Sequence, residues 1–225
     1  MYLYETHMHT YPVSRCARST VREMLEFYKS LGYQGVFITN HFIDGNINID
    51  RSLPYEDKVR FYFSDYEEAV RLSAEIGIDV FLGVELSYGG TDFLVYGLSR
   101  EWFLSHPEIE GMKKSEELRL MMDEGALIVQ AHPYREANYI DHIRLFPRHV
   151  HAVEVQNVAQ PAEVNEMARL YADAYGISHF AGSDSHSVNR KRFAGLSCEE
   201  RFESVEDFIR LFKAGKTEIF TRNLE

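Results

Sequence analysis

The chain has 225 residues, of which 45% are hydrophobic and 26% are charged, and this balance is ordinary for a folded globular protein. The net charge of −11 disfavours non-specific binding of nucleic acid, which depends on lysine and arginine, although metal ions bound to carboxylates would offset it. Two distant cysteines, Cys16 and Cys198, exclude a disulfide framework. We expect one cytoplasmic domain over residues 1–225, because neither a secretory signal nor a membrane-spanning apolar run is visible.

Apolar runs rich in Val, Ile, Phe and Tyr alternate with helix-like runs along the chain. Predicted strands cover residues 2–9, 35–41, 79–88, 93–98, 126–133, 152–157, 177–184 and 217–221. Predicted helices cover residues 20–31, 65–76, 115–124, 161–175 and 205–214, and a glycine follows each of them. The long segment 44–64 is predicted to be a wall of the site or an additional packed helix. Strands that alternate with helices predict a parallel sheet.

Candidate metal ligands recur at the ends of the predicted strands. His7 and His9 are two residues apart, so that both point to one face of a strand, and Asp184 and His186 repeat this spacing. Three other strands end in the single candidates His41, Glu85 and His132. A lone histidine is usually structural, but this repetition indicates a metal site. Ligands from so many strand ends favour a closed barrel. In an open sheet the site lies at the one point where the strand order reverses.

The ordered motifs resemble the PHP family, named for polymerase and histidinol phosphatase domains. The resemblance lies in His7-x-His9-Thr10, Thr39-Asn40-His41, Gly83-Val84-Glu85, His132-Pro133 and Gly182-Ser183-Asp184-Ser185-His186, which span nearly the whole chain. It implies a distorted seven-stranded (β/α) barrel of the PHP type, with a metal site at the C-terminal ends of the strands. It also implies two or three divalent ions, which we expect to be manganese, zinc or iron.

Ligand roles follow from the resemblance position by position. It implies that one ion is held by His7, His9, Glu85 and Asp184. Glu85 would bridge to a second ion shared with His132, and His41 and His186 would belong to a third site. Glu154 and Asn157 resemble a recurring strand of the family, and we expect them to support the ligands.

Two positions depart from the family pattern. Asp92 stands where many members have a histidine, so that it either binds an ion through oxygen, favouring manganese or iron over zinc, or caps a strand. Arg15 stands where members often place a ligand of the third ion, and a guanidinium cannot bind a metal. We expect Arg15 either to bind a substrate phosphate in place of that ion or to lie in a solvated loop. The neighbouring Cys16 is a less favoured soft ligand.

The resemblance implies hydrolysis of a phosphate ester by a metal-bound hydroxide. We expect a phosphomonoesterase similar to histidinol phosphatase, acting on a small phosphorylated substrate, with Arg15 and Arg135 binding phosphate and His186 or His41 protonating the leaving oxygen. The alternatives are a nucleic-acid phosphodiesterase or exonuclease, a barrel amidohydrolase, and a metal-binding domain without turnover. No membrane partner is expected, and the sequence leaves the oligomeric state open.

Overall fold

The computed structural model describes residues 1–224 and contains nine strands and six α-helices in that range. The strands are β1 (Tyr2–Met8), β2 (Gly35–Ile38), β3 (Asp79–Tyr88), β4 (Thr91–Tyr96), β5 (Leu127–Ala131), β6 (Ala152–Asn157), β7 (Ser178–Gly182), β8 (Arg192–Cys198) and β9 (Thr217–Asn223). The helices are α1 (Val21–Ser30), α2 (Tyr55–Ile76), α3 (Arg100–Ser105), α4 (Lys114–Asp123), α5 (Ala162–Tyr175) and α6 (Val205–Lys213). A short 3-10 helix covers Pro107–Gly111. No helix within residues 1–224 has both the length and the apolar character that crossing a bilayer would demand.

The strands form one sheet that curls into a nearly closed barrel. Their order is β7-β6-β5-β4-β3-β2-β1-β8-β9. Beyond the end of β7, Ser185 returns to the end of β1: its amide donates to the His7 carbonyl at 3.1 Å, and the His9 amide donates to the Ser185 carbonyl at 2.8 Å. These bonds bring the first and seventh strands together. The barrel class predicted from the sequence is therefore confirmed, with β8 and β9 as an extension of the sheet.

Strand β8 was not predicted, and its contacts explain why it forms. It pairs antiparallel with the first residues of β1, and Ser197 lies opposite Leu3. At Gly195 a Cβ atom would lie 2.2 Å from the Tyr4 carbonyl oxygen, so only glycine fits this approach of two backbones. The sequence of β8 has few of the β-branched residues that are typical of strands, so the sequence pattern did not predict it.

The sheet is not parallel throughout, which corrects the prediction. Strand β4 runs antiparallel to both β3 and β5. Only Gly89 and Gly90 connect β3 to β4, and both have positive φ, at 57° and 87°. Two residues cannot carry the crossover that parallel strands need, but they suit a tight hairpin. The reversal places Asp92, near the start of β4, beside Ala131 at the end of β5.

Helix α2 begins at Tyr55, ten residues before the predicted start, so much of segment 44–64 is helical. Tyr62 on this helix is buried, and its hydroxyl donates to the Asn40 carbonyl at 3.0 Å and the Gly83 carbonyl at 3.1 Å. The additional helix thereby ties the ends of β2 and β3 together. Both predictions for segment 44–64 describe part of it: residues 55–64 form the packed helix, and Gly45 and Asn46 line a cavity at the ligand end of the barrel.

A cluster of aromatic side chains fills the end of the barrel away from the metal-ligand candidates. Phe208 of α6 is fully buried, and its ring centroid lies 4.6 Å from that of Phe37 and 5.3 Å from those of Tyr96 and Phe202. Aromatic pairs at such separations stabilise a core beyond the area that they bury. Helix α6 therefore closes the barrel floor.

We expect Phe208→Ala to destabilise the protein by about 3–5 kcal/mol, because it leaves a cavity in this cluster. Chemical denaturation of the metal-free protein measures the change. Leu170→Ala is the control, because Leu170 is 54% exposed, and it should change the free energy of unfolding by about 0.5 kcal/mol or less. Equal effects of the two substitutions would contradict this view of the floor.

Candidate metal centre

The predicted ligands converge at one end of the barrel. His7 and His9 at the end of β1 bring their Nε2 atoms to 3.3 Å from each other. Asp184, just beyond β7, places Oδ1 3.7 Å from His7 Nε2 and 3.4 Å from His9 Nε2. Donor atoms about 2.1 Å from an ion and tetrahedrally arranged lie roughly 3.4 Å apart. The three side chains thus have the spacing of ligands around one ion.

Glu85 lies between this group and a second one. Its Oε1 is 3.2 Å from His7 Nε2 and 3.6 Å from His132 Nε2, and its Oε2 is 3.4 Å from His9 Nε2. The ligand atoms of His7, Glu85 and His132 lie within 4.8 Å of one another. A carboxylate with one oxygen facing each group can serve two ions. The geometry therefore suits the bridging position that the resemblance implied for Glu85.

A third group contains a residue to which the sequence gave little weight. Ligand atoms of His9, Cys16, His41 and His186 lie within 4.8 Å of one another. The imidazole of His9 stacks on that of His186, with ring centroids 4.4 Å apart. The cysteine thus lies beside the two histidines that the resemblance assigned to a third site.

Hydrogen bonds fix which nitrogen each histidine presents. The carboxylate of Glu154 accepts from His7 Nδ1 at 2.9 Å, and the Asp184 carbonyl accepts from His186 Nδ1 at 2.9 Å. The Ser14 hydroxyl donates to Asn40 Oδ1 at 2.9 Å, so its oxygen is free to accept from His9 Nδ1 at 3.1 Å. In each case the proton on Nδ1 leaves the lone pair on Nε2, and second-sphere partners commonly orient ligands in this way.

Two of the candidate ligands have strained backbones. His132 has φ 26° and Asp184 has φ 50°, and they are the non-glycine residues with positive φ within residues 1–224. Such conformations are costly and persist where the surrounding structure imposes them, often at functional sites. Both residues are also nearly fully buried. At these two strand ends the backbone adopts an unfavourable conformation, and this conformation sets the direction of the His132 and Asp184 side chains.

The charges of the cluster are compatible with bound cations. Burial would raise the pKa of Glu85, but the imidazoles of His41, His7 and His9 hold it well below its usual range. Burial and the neighbouring His186 and His41 lower the pKa of His9 to about 3. Glu85 and His9 are thus in the forms that bind divalent metals. In spite of burial, the nearby carboxylates raise the pKa of His7, His41 and His132, so an ion would bind to these imidazoles in exchange for protons. Glu85 Oε2 and His41 Nδ1 are both buried and lie 2.6 Å apart, as an ion pair without the alignment of a hydrogen bond.

Two of the remaining predicted site residues, Asp92 and Arg135, line a cavity of about 630 Å³ next to the cluster. Arg135 lines it, and its Nη1 is 3.3 Å from Asp92 Oδ2. Asp92 also accepts from the Ser87 hydroxyl at 2.6 Å and lies 3.8 Å from His132 Nε2. Asp92 therefore borders the second group while holding Arg135 in place. Among residues 1–224, Cys16 lines the cavity and the exposed Arg15 does not.

Several supporting residues lie beyond those that the sequence pointed out. Asp65 of α2 is buried and accepts from the Thr10 hydroxyl at 2.7 Å and from Asn40 Nδ2 at 3.1 Å. Glu5 is fully buried in β1 and accepts from the amides of His7 and Ser183, both at 2.9 Å. An acidic residue inside an apolar strand, as Glu5 is, was the available signal. Asp65 gave no such signal, because it was placed at a helix start.

The comparisons with known proteins agree with this geometry. A family model described as PHP-associated matches residues 162–190, a segment that includes Asp184 and His186. No curated protein matches the sequence significantly. Among solved structures, the chain is similar to a two-domain protein from Bacteroides vulgatus that contains a predicted PHP-like metal-dependent phosphoesterase, with a TM-score of 0.71 and 15% identity. That match covers 97% of this chain and 64% of the other, so the chain spans less than two thirds of the length of that relative.

Two further structures have the same fold. One is a provisionally named metal-dependent phosphoesterase from Bifidobacterium adolescentis, with a TM-score of 0.56, 14% identity and coverage of 93% of this chain and 95% of the other. The other is PsfC from Pseudomonas syringae, with a TM-score of 0.63, 15% identity and coverage of 100% and 93%. At these identities the likeness establishes the fold alone. The fold and the matched segment both agree with the resemblance to the PHP family that the sequence motifs show.

We expect Glu154→Gln to weaken metal binding by about 10- to 100-fold, because it removes the carboxylate that orients His7. Competition with a chromogenic chelator measures the affinity. Glu117→Gln is the matched control, because Glu117 is also buried and paired, in its case with Lys114 Nζ at 2.7 Å, outside the metal-ligand groups. It should leave the affinity unchanged. Equal affinities of wild type and Glu154→Gln would show that this carboxylate does not support the ligand.

Proposed function

We propose that this chain is a metal-dependent phosphoesterase. The observation that carries the proposal is the convergence of three overlapping donor groups on one end of the barrel, beside an open cavity. Structural neighbours of the same fold are named as phosphoesterases of this kind, which supports the reaction class. A purely structural metal site would have no need of a cavity at its edge.

The donor set suits two or three divalent ions such as manganese, zinc or iron. His7, His9, Glu85 and Asp184 would hold the first, and His132 would hold the second with Glu85 between them. Ions bound there would supply a water acidic enough to act as nucleophile near neutral pH and positive charge for the phosphoryl oxygens. The part of the protein is to hold these donors rigidly, which the hydrogen bonds of Glu154 and Ser14 accomplish.

Arg135 is the side chain best placed to bind the substrate phosphate. Its guanidinium lines the cavity, and its side chain is 29% exposed, so a ligand can reach it. Asp92 contacts Nη1 and the Tyr139 hydroxyl accepts from Nη2, which leaves the remaining N–H groups of the guanidinium for phosphoryl oxygens. We therefore assign to Arg135 alone the stabilisation of negative charge on the phosphoryl oxygens. The sequence predicted this role for both Arg15 and Arg135.

A small phosphomonoester fits the cavity better than a nucleic acid does. A volume of about 630 Å³ lies in the usual range for small-molecule sites. The basic run after His186 offers no continuous groove, because Arg190 donates to the Asp184 carbonyl at 2.8 Å while Lys191 and Arg192 are exposed. With a net charge of −11, little attraction remains for a polyanion.

We expect the metal-loaded protein to hydrolyse a generic phosphomonoester faster than a phosphodiester, and His9→Ala to abolish both activities. The reason is that His9 contributes to two of the donor groups. Phosphate release with manganese or zinc measures both activities. His142→Ala serves as control, since this side chain is 59% exposed. Preference for the diester would favour a nuclease, and cleavage of amides alone would favour an amidohydrolase.

We expect Arg135→Met to lower kcat/KM for the preferred ester by about 10²-fold, as loss of one charge-stabilising donor commonly does. Arg135→Lys should recover part of the loss, because lysine keeps the charge without the fork. Arg192→Met, an exposed arginine outside the cavity, should have no effect. Steady-state kinetics at saturating metal make the comparison. An unchanged kcat/KM in Arg135→Met would remove this residue from the mechanism.

A further inference from the structure

We propose that Cys16 is a thiolate ligand of a third ion, shared with His41 and His186, and that this ligand gives the third site a preference for zinc or ferrous iron over manganese. The proposal rests on the proposed metal centre and concerns a donor that its other groups lack. Those groups consist of imidazole and carboxylate donors alone. The third group alone contains sulfur within residues 1–224.

The loop that carries Cys16 is held in one conformation by its backbone. The Arg15 amide donates to the Asn46 carbonyl at 3.0 Å, and the Arg18 amide donates to the His186 carbonyl at 2.8 Å. The Ala17 amide donates to the Ser14 carbonyl at 3.1 Å, which makes a tight turn around Cys16. As a result Arg15 is exposed while Cys16 is half-buried and faces the cavity. The thiol is thus positioned by the fold and does not merely fall near the histidines.

The donors of this site can be separated from those of the first site. His9 Nε2 already lies 3.4 Å from Asp184 Oδ1 and 3.3 Å from His7 Nε2, and one nitrogen lone pair binds one ion. Its other nitrogen, Nδ1, is bonded to the Ser14 hydroxyl. Cys16, His41 and His186 remain as three donors that the first two groups do not use. Three protein donors with a fourth position facing a cavity are typical of a catalytic rather than a closed structural site.

His41 is a buried imidazole that lies between the thiol and Glu85. The residue is 9% exposed, and its Nδ1 lies 2.6 Å from Glu85 Oε2, in an ion pair that lacks the alignment of a hydrogen bond. A ligand atom of the same imidazole is within 4.8 Å of those of Cys16 and His186. A cation at this group would satisfy the imidazole and the thiol together.

The consequence of the thiol is a change in metal preference. Thiolate is a soft donor that favours zinc and iron, whereas manganese prefers carboxylate and water oxygens. Binding replaces the sulfur–hydrogen bond by a sulfur–metal bond and releases one proton to solvent, with no change of oxidation state. His41 and His186 would then act as ligands and not as acids, since a nitrogen that holds an ion cannot also donate a proton.

The test is anaerobic titration of the metal-free protein with cobalt(II), a spectroscopic substitute for zinc. We expect wild type to develop a sulfur-to-cobalt charge-transfer band in the near ultraviolet. Cys16→Ser should lose this band and bind about one ion per chain fewer. Cys198→Ser, which changes the other cysteine in β8, should keep both the band and the stoichiometry. Cys16→Asp should bind the lost ion again without the band, and with manganese favoured over zinc.

A second readout uses the thiol itself. Zinc should protect Cys16 from alkylation, as measured by mass spectrometry of the modified peptide, and manganese should protect it less. If wild type binds metal without the band or the protection, Cys16 is not a ligand, although the proposed metal centre stands. If wild type binds no metal at all, both proposals fail. Circular dichroism of each variant shows whether the fold is kept. If Cys16→Ser does not fold, the protection of wild-type Cys16 from alkylation decides whether it is a ligand.

Discussion

The structure depends on the burial of two carboxylates, Glu85 and Asp184, among imidazoles at the end of a barrel. Burying an ionised group without a partner is costly, and side chains this close with few hydrogen bonds are compensated best by cations. The imidazoles can take protons to balance these carboxylates, or they can share divalent ions with them. Divalent ions would satisfy the lone pairs of both residue types at once, and any ion that binds only the folded chain stabilises it.

Rigidity around the cluster follows from this constraint. Each histidine of the first group has its Nδ1 bound to a fixed acceptor, and the Ser14 hydroxyl joins His9 to Asn40 and thereby to Asp65 of α2. The positive φ angles of His132 and Asp184 show that the backbone accepts strain to aim these side chains. Metal-dependent hydrolysis needs donors held within a few tenths of an ångström, and a network of this kind supplies that precision without the ions having to organise it.

Much of the site could be predicted from the sequence, because two-residue spacing on a strand fixes side-chain direction. His7 and His9, at the end of β1, needed no tertiary information beyond the closure of the barrel. Asp184 and His186 have the same spacing but lie beyond β7, and the φ of 50° at Asp184 shows that the local backbone sets their directions. The choice between Arg15 and Cys16 was different, since loop direction depends on backbone bonds to Asn46 and His186, which are distant in sequence. Likewise β8 forms where Gly195 permits a close approach to β1. Such a contact between distant segments cannot be predicted from the strand propensity of the local residues.

The reversed strand β4 explains how the second group differs from a purely parallel barrel. In a parallel sheet the beginning of a strand lies at the floor, far from the ligands. Because β4 runs antiparallel, Asp92 at its beginning lies beside the end of β5, next to His132. The Asp92 carboxyl lies 3.3 Å from Arg135 Nη1 and helps to hold the guanidinium at the cavity. The change of strand direction thus brings a carboxyl from the start of one strand to the ligand end of the barrel, where it lies next to both His132 and Arg135.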